Sequence, residues 1–406
     1  MEQSNPISPS ANSIIDILTL RYNTEIDPIL SKLTSNDFTP TNIESSTEFI
    51  KKSIKNTFQN SIDSNCERIA IALSGGIDST LNLALLRETF PNLPISAISM
   101  KFADSVDETP AAAKIAECFG AEHEIIHLDN FLIELPKAIS ITKQPFWDLH
   151  WYHIVKKAKS YSNYLISGDG GDELFAGYTF RYEKFLSLVN QDSSPVERVK
   201  AYLQCHGRDW VEDQSDLFGG KIDFSWEKIQ HSILPYFDNS LSLIQQVCLA
   251  DYNGKLLYNF SPINSALHEH FDIKSITPLL SNEMISYGTN LETNLKYNEE
   301  NNIGKIPLRN LLVNYIDSNL LTQTKQGFSV NTVNLWKSYG YKFCKIYLEE
   351  ARIVNDGWIN RSWIDKHLKN ELDVNYINKF LGLLALEIWY RIFVTNEMDE
   401  NTLLET

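Results

Sequence analysis

The chain has 406 residues, room for two or three domains with cores of their own. Hydrophobic residues make up 43% and aromatics 11%, the composition of a globular protein. A net charge of −16 argues against non-specific binding to nucleic acid or to an anionic membrane, because phosphate contacts need basic surface.

Residues 1–13 are rich in Ser, Asn and Pro and read as a loose tail with no apolar leader segment. Residues 14–33 carry helical or mixed apolar spacing, and 49–62 suit an amphipathic helix leading to a first strand. From 67 to about 190 short apolar runs at 69–73, 95–100, 124–128 and 164–167 alternate with helical patterns. That alternation predicts an α/β fold: an open parallel sheet flanked by helices, with ligands at the carboxyl ends of its strands. After 190 the strand signals fade. Segments 196–206, 244–257 and 363–372 read as helices and 213–222 as a loop, giving a mainly α-helical C-terminal lobe. The expected division is 1–60 (tail and helices), 61–190 (α/β domain) and 191–406 (helical lobe). The apolar run at 380–394 is short and broken by Glu387 and Arg391, so it reads as a buried helix and not a membrane span. The cysteines at 66, 118, 205, 248 and 344 are odd in number and form no C-x-x-C, as expected of reduced thiols in a cytoplasmic enzyme.

Two loops carry the chemistry. The run at 69–73 passes into Ser74-Gly75-Gly76-Ile77-Asp78-Ser79-Thr80. A glycine turn leaves its N–H groups uncovered, and with a helix opening at Ser79 and Thr80 over 81–90 it makes an anion site. Asp78 beside a phosphate repels it unless a cation stands between, and Mg²⁺ is the natural mediator. The loop is not a Walker A motif, which needs G-x-x-x-x-G-K-S/T. The second loop, Ser167-Gly168-Asp169-Gly170-Gly171-Asp172-Glu173, sets three acids among three glycines after another short apolar run. Such a loop has little apolar surface to hold it and charges that repel. A metal–phosphate site explains the pattern, with Asp172 as a second Mg²⁺ carboxylate and Asp169 reaching the reacting centre.

The first loop resembles the SGGxDS loop of the N-type ATP pyrophosphatases, or PP-loop enzymes. Followed by Asp172-Glu173-Leu174-Phe175-Ala176-Gly177-Tyr178, the pair resembles the synthetase domain of the asparagine synthetase family, whose second motif is SGxGxDELFGGY. The likeness continues through Asp107-Glu108, Glu122-His123, Gly304-Lys305-Ile306-Pro307-Leu308-Arg309, Lys325-Gln326-Gly327-Phe328 and Trp336, covering most of residues 40–396. It implies an adenine nucleotide alpha hydrolase-like fold with ATP and Mg²⁺ as cofactors. It also implies roles. Ser74, Gly75, Gly76, Asp78, Ser79 and Thr80 would hold pyrophosphate and Mg²⁺. Leu73, Met100 and Gly168 would border adenine and ribose, and Lys305 would stabilise the departing pyrophosphate. Asp169 stands where asparagine synthetases place a Glu that takes a proton from the attacking nitrogen.

Three departures bear on the reaction. The family's full enzymes begin with a glutaminase domain and its N-terminal Cys; here residue 2 is Glu and the first loop already begins at Ser74, so that domain is expected to be missing. Ammonia would then come from solution or from a separate glutaminase subunit. The Glu is shortened to Asp169. The stretches Tyr258–Ser265 and Thr277–Ser281 depart from the family's pattern, which leaves the acid substrate open. The resemblance implies an ATP-dependent ligase that adenylates a small carboxylic acid and passes it to a nitrogen nucleophile, releasing AMP and pyrophosphate. The alternatives are an amide-forming cyclase like the β-lactam and lasso-peptide synthetases, an RNA-modifying PP-loop enzyme (which the acidic balance opposes), and an inactive nucleotide-binding partner. His150 and His153, an H-x-x-H pair without a third ligand, read as helix packing; His268 and His270, two apart, read as surface or lobe packing, with contact to the substrate as the alternative for that segment. Lys325 reads equally as a phosphate contact or a helix cap.

Overall fold

The computed structural model describes residues 8–38, 46–103, 105–320 and 330–405. Its centre is a five-stranded sheet in the order β3-β2-β1-β4-β5, parallel throughout: β1 Ile69–Ala72, β2 Ile95–Phe102, β3 Glu122–Leu128, β4 Tyr164–Ile166 and β5 Lys274–Ile276. The expected open parallel sheet is therefore the observed one. β5 is the unexpected strand. Only three residues long, with Lys274 and Ser275 exposed, it has too little apolar alternation to signal itself, and it draws on the stretch assigned to the helical lobe.

Alternate residues of each strand feed two cores, as a period of two requires. Ile69 and Ile71 of β1, Ile95 and Ala97 of β2 and Ile166 of β4 point into one core. Ala70, Ala72, Ile98, Met100 and Leu165 point into the other. The first core takes Leu81 and Leu85 from the helix Ile77–Thr89, and Ile50, Ile54 and Phe58 from Thr47–Ser61. The second takes Ile154 and Val155 of the helix Trp151–Lys159 and most of Val374–Phe393. Glu387 in that last helix is fully buried, and its carboxylate accepts the Arg352 and Ile353 N–H groups at 2.9 and 3.1 Å. Burial of this apolar run inside the protein accounts for it. Among the described residues no helix is long and apolar enough to cross a membrane.

The helical segments expected after 190 are present as Pro195–Cys205, Leu243–Asp251, Arg361–His367 and Val374–Phe393. Four expectations shift. The helix Arg361–His367 stops short of 372 because Leu368 is extended (ψ 96°), and the expected loop at 213–222 holds a helical turn, Gln214–Leu217. The spacing over 14–33 yields a helix only at Ala11–Leu20, because Arg21 adopts left-handed backbone (φ 59°) and ends it. The helix Leu243–Asp251 does not stop near 257. It runs into a π-helical stretch, Tyr252–Phe260, and on into Ser261–His270, with non-helical backbone at Gly254 (φ −97°, ψ −105°). A side chain at Gly254 would press on the Tyr22 ring at 3.1 Å. The widened turn rotates Leu256, Asn259, Phe260, Ile263 and Asn264 toward one cleft.

Candidate active site

β1 and β4 are neighbours from which the chain departs in opposite directions across the sheet, the point where open α/β sheets leave a crevice. The loops after both strands meet there. Contact is so close that a side chain at Gly168 would lie 2.8 Å from Asp78 Cβ, and one at Gly171 would lie 2.4 Å from Asp78 Oδ1. Asn82 of the helix behind the first loop donates to Ser167 O at 3.0 Å and ties the loops from below. Gly170 has φ +91°, and a Cβ there would strike Leu280 at 2.4 Å; only glycine serves.

The first loop is tighter than expected. The helix begins at Ile77, not near Leu81, because Gly76 is extended (ψ 163°) and acts as its N-cap, which puts Asp78 in the first turn. The loop also covers some of its own donors. Ser74 N–H donates to Ser79 Oγ and Gly76 N–H to Ser74 Oγ, both at 3.2 Å, and Thr80 Oγ1 donates to Gly76 O at 2.6 Å. An incoming phosphate would therefore exchange places with the Ser74 and Ser79 hydroxyls.

Asp78 and Asp172 come together on one cation. Lys305 Nζ lies 2.5 Å from Asp78 Oδ2 and 2.7 Å from Asp172 Oδ1. Burial works against the charge on Lys305, but Asp172 and Asp78 outweigh it and hold the ammonium above its ordinary range. Lys305 precedes the short helix Ile306–Leu312, and Arg309, one turn along, donates Nε to Gly304 O at 2.9 Å. Asp169 Oδ2 accepts from Ser167 Oγ and from Asn264 Nδ2, both at 2.9 Å. Burial pushes its carboxyl above the usual range; the two hydrogen bonds hold it back, and Asp78 and Asp172 add to the push.

These loops form one end of a cleft with about 1360 Å³ of atom-free space, its open mouth included. Ser74, Gly76, Asp78, Ser79, Gly168, Asp169 and Asp172 line it. Leu73 and Thr80 are wholly buried beneath, Gly75 and Lys305 are buried, and Met100 is 5% exposed on the second-core face of β2, so these five are not part of the lining. The segment 325–328 lies outside the described residues.

The far wall holds residues that sequence reasoning did not assign. Asp148 pairs with Arg21, which also reaches Asp209 at 3.5 Å; Lys255 meets Asp209 at 2.6 Å. His206 faces Asp209 through Nδ1 (3.5 Å) and Asp251 through Nε2 (3.4 Å), and Asp251 takes Arg181 at 3.3 Å and Tyr202 OH at 2.9 Å. Arg181 stacks on Tyr178 (4.1 Å), whose hydroxyl donates to the buried Glu173 at 2.6 Å. In this chain of charges His206, Asp209 and Asp251 are buried and Arg21, Asp148, Arg181 and Lys255 half-buried, and its two ends, Asp148 and Arg181, face the cleft. His150, just ahead of the helix Trp151–Lys159, packs its ring edge-on against Phe102 (5.5 Å) and Phe131 (6.2 Å), as the packing reading expects, and also lines the cleft. Burial keeps its imidazole below the usual range. His153 and His268 are packing residues as expected, the latter against Ile273 O at 3.3 Å.

Two carboxylates suit a magnesium ion that arrives with phosphates and keeps several waters. Lys305 already shows that Asp78 and Asp172 converge on a single cation. Among the described residues no three His, Cys, Asp or Glu side chains converge as a self-sufficient metal site.

Known proteins resemble the chain to different extents. The asparagine synthetase [glutamine-hydrolyzing] 1 of Bacillus subtilis is 22% identical over 366 residues, covering 79% of this chain and 55% of that protein. A putative asparagine synthetase of Mycobacterium tuberculosis is 33% identical over 128 residues, 30% of this chain and 19% of that one. The chain thus spans about half the length of the first relative and less of the second. Among solved structures, an NMN synthetase from Francisella tularensis has 18% identity and a TM-score of 0.27, covering 57% of this chain and 98% of its own. The U34-tRNA thiolase NcsA from Methanococcus maripaludis has 17% identity and a TM-score of 0.23, covering 70% and 86%. The asparagine synthase family model matches residues 53–391, from the helix before β1 to the closing helix, and so takes in both loops and Lys305: the chain belongs to the asparagine synthase family.

Proposed function

We propose that the protein is an ATP-dependent, amide-forming ligase. It joins a small carboxylic acid to AMP with loss of pyrophosphate, then passes the acyl group to ammonia or an amine. The observation that carries this reading is the convergence of Asp78 and Asp172, from loops at the carboxyl ends of adjacent parallel strands, on one cation position beside a helix N-terminus.

In this reading the glycine turn at 74–76 and the helix Ile77–Thr89 receive the terminal phosphates. Asp78 and Asp172 would hold magnesium, which when bound supplies charge neutralisation on the phosphate oxygens. Lys305 offers its ammonium to the pyrophosphate as negative charge builds there, and burial strengthens that attraction. Gly168 lets the second loop close on Asp78 and borders the nucleotide with its backbone. Asp169, aimed from that loop and steadied by Ser167 and Asn264, takes a proton from the nitrogen as it bonds to the acyl carbon. The acid lies toward Arg181, Asp148 and the π-helical stretch.

The test is pyrophosphate release from Mg-ATP with a panel of amino acids and other carboxylic acids, with and without ammonium. AMP and an amide are the expected products. ADP in place of AMP would overturn the proposal.

A further inference from the structure

The pair of carboxylates assigned to the metal already has a cation, and it belongs to the chain. Lys305 is 8% exposed and reaches both Asp78 and Asp172. Its backbone is fixed to the loop that carries Asp172. Lys305 N–H donates to Phe175 O at 2.9 Å, and Gly304 sits so close to Ala176 that a side chain there would fall 1.9 Å from Ala176 O. Lys305 itself has left-handed backbone (φ 58°) ahead of the helix Ile306–Leu312. The side chain crosses Gly177, where a Cβ would lie 2.3 Å from Lys305 Cε and 1.9 Å from Asp172 Oδ1. The main chain is locked, so only the flexible stem of the lysine can turn.

A divalent ion between the two carboxylates would stand where the ammonium stands. Bare metal would have to expel a buried lysine that then has lost its anions, which is unfavourable. A polyphosphate removes the obstacle, because it offers the ammonium new oxygens while the metal takes the old ones. We infer that Lys305 is the resting occupant of the cation subsite, and that the site accepts a divalent ion only together with a polyphosphate. The exchange moves the ammonium from Asp78 and Asp172 onto the leaving phosphates, so it arms the group that stabilises them. This inference rests on the proposed reading of Asp78 and Asp172 as metal ligands.

Manganese tests it through the paramagnetic signal of the free ion, with no turnover needed. Without nucleotide, the wild-type chain should bind Mn²⁺ at least about tenfold more weakly than Lys305→Met, since a like charge in contact is worth that or more. Asp78→Asn added to Lys305→Met should abolish the gained site. If Lys305→Met binds Mn²⁺ no better than wild type, or the double variant keeps the gain, the inference is wrong. If Mn²⁺ with ATP binds wild type and Asp78→Asn equally well, the underlying reading of the metal ligands fails instead. Lys305→Gln repeats the comparison should the Met variant not fold. A measurement on the unmodified chain needs no variant: Mg²⁺ alone should leave its melting temperature unchanged, while Mg²⁺ with ATP should raise it. A rise with Mg²⁺ alone, absent in Asp78→Asn, would overturn the inference.

Discussion

The two ends of the cleft are built on opposite plans. The phosphate end consists of two contiguous loops, 74–80 and 167–173, each following a strand of the same sheet. Its side chains are short, its glycines leave no spare volume, and one lysine from elsewhere closes it. The far end is assembled from residues at 21, 148, 181, 206, 209, 251 and 255, drawn from several separate segments and joined across them by charge. A site of the first kind is fixed by local backbone geometry and tolerates little change. A site of the second kind is fixed by pairing, so its members can be exchanged together while the fold stands. Within a family that shares the nucleotide half of a reaction, the far end is where substrate choice would diverge.

Changes at the two ends should therefore fail differently. Asp78→Asn should have the largest effect on chemistry, lowering AMP formation about a thousandfold in a pyrophosphate-release assay, since it removes one of the two carboxylates proposed to hold the cation that neutralises the reacting phosphates. Thermal unfolding should show the protein still folded. Arg181→Leu should do the reverse. It strips Asp251 of its strongest partner, leaving a buried carboxylate with His206 and Tyr202, and should cost about 3 kcal/mol in urea unfolding. Binding of Mg-ATP, followed by calorimetry, should be unchanged. Loss of nucleotide affinity in Arg181→Leu would break the distinction between the ends.

Asp169 stands between them, and its behaviour with pH sharpens the boundary. Its carboxyl is held above the ordinary range by burial, so a role as proton acceptor is lost as pH falls through that raised value. The wild-type rate should show this acid limb, and Asp169→Asn should be about a hundredfold slower with the limb gone. Stability carries the opposite sign. The folded state holds the Asp169 proton more tightly than the unfolded one, so its contribution is full below the unfolded value and is lost as pH rises through the folded one. Asp169→Asn should therefore be at least as stable as wild type at pH 7 while being slower, and unfolding scans at pH 4 and pH 7 will show it.

The same contrast explains what could be read in the sequence. The parallel sheet was legible because β1, β2 and β4 are apolar runs with helical patterns between them. That the two loops share one end of the cleft was legible because each loop's residues are neighbours in sequence. β5 was not, since it is short, half exposed and held mainly by pairing with β4. Nor was the far wall. Arg21 and Asp209 lie 188 positions apart, and nothing local marks either as one half of a buried pair. His150 was legible as a packing residue, but not its exposure to the cleft, which depends on where the helix Trp151–Lys159 begins. Gly254 was the missed signal. A glycine inside an apolar helical pattern costs stability unless something needs the space, and here Tyr22 does, with the π-helical stretch that turns Asn259 and Asn264 to the cleft.

The smallest expected effect tests whether the far wall depends on pairing alone. Ser242 caps the helix Leu243–Asp251 in a reciprocal box: it accepts from Gln245 N–H at 3.4 Å, and Gln245 Oε1 accepts from Ser242 N–H at 3.1 Å. The same hydroxyl meets Thr293 Oγ1 at 2.9 Å. Ser242→Ala should cost about 1 kcal/mol in urea unfolding. Asp251 lies at the other end of that helix and is tied separately to Arg181, Tyr202 and His206, so fraying at residue 242 should not reach the cleft. AMP formation should stay within about twofold of wild type, because a cap frays only the first turn. A larger drop would mean that the helix entrance sets the position of Asp251, and that the far wall is held by backbone geometry after all, as the phosphate end is.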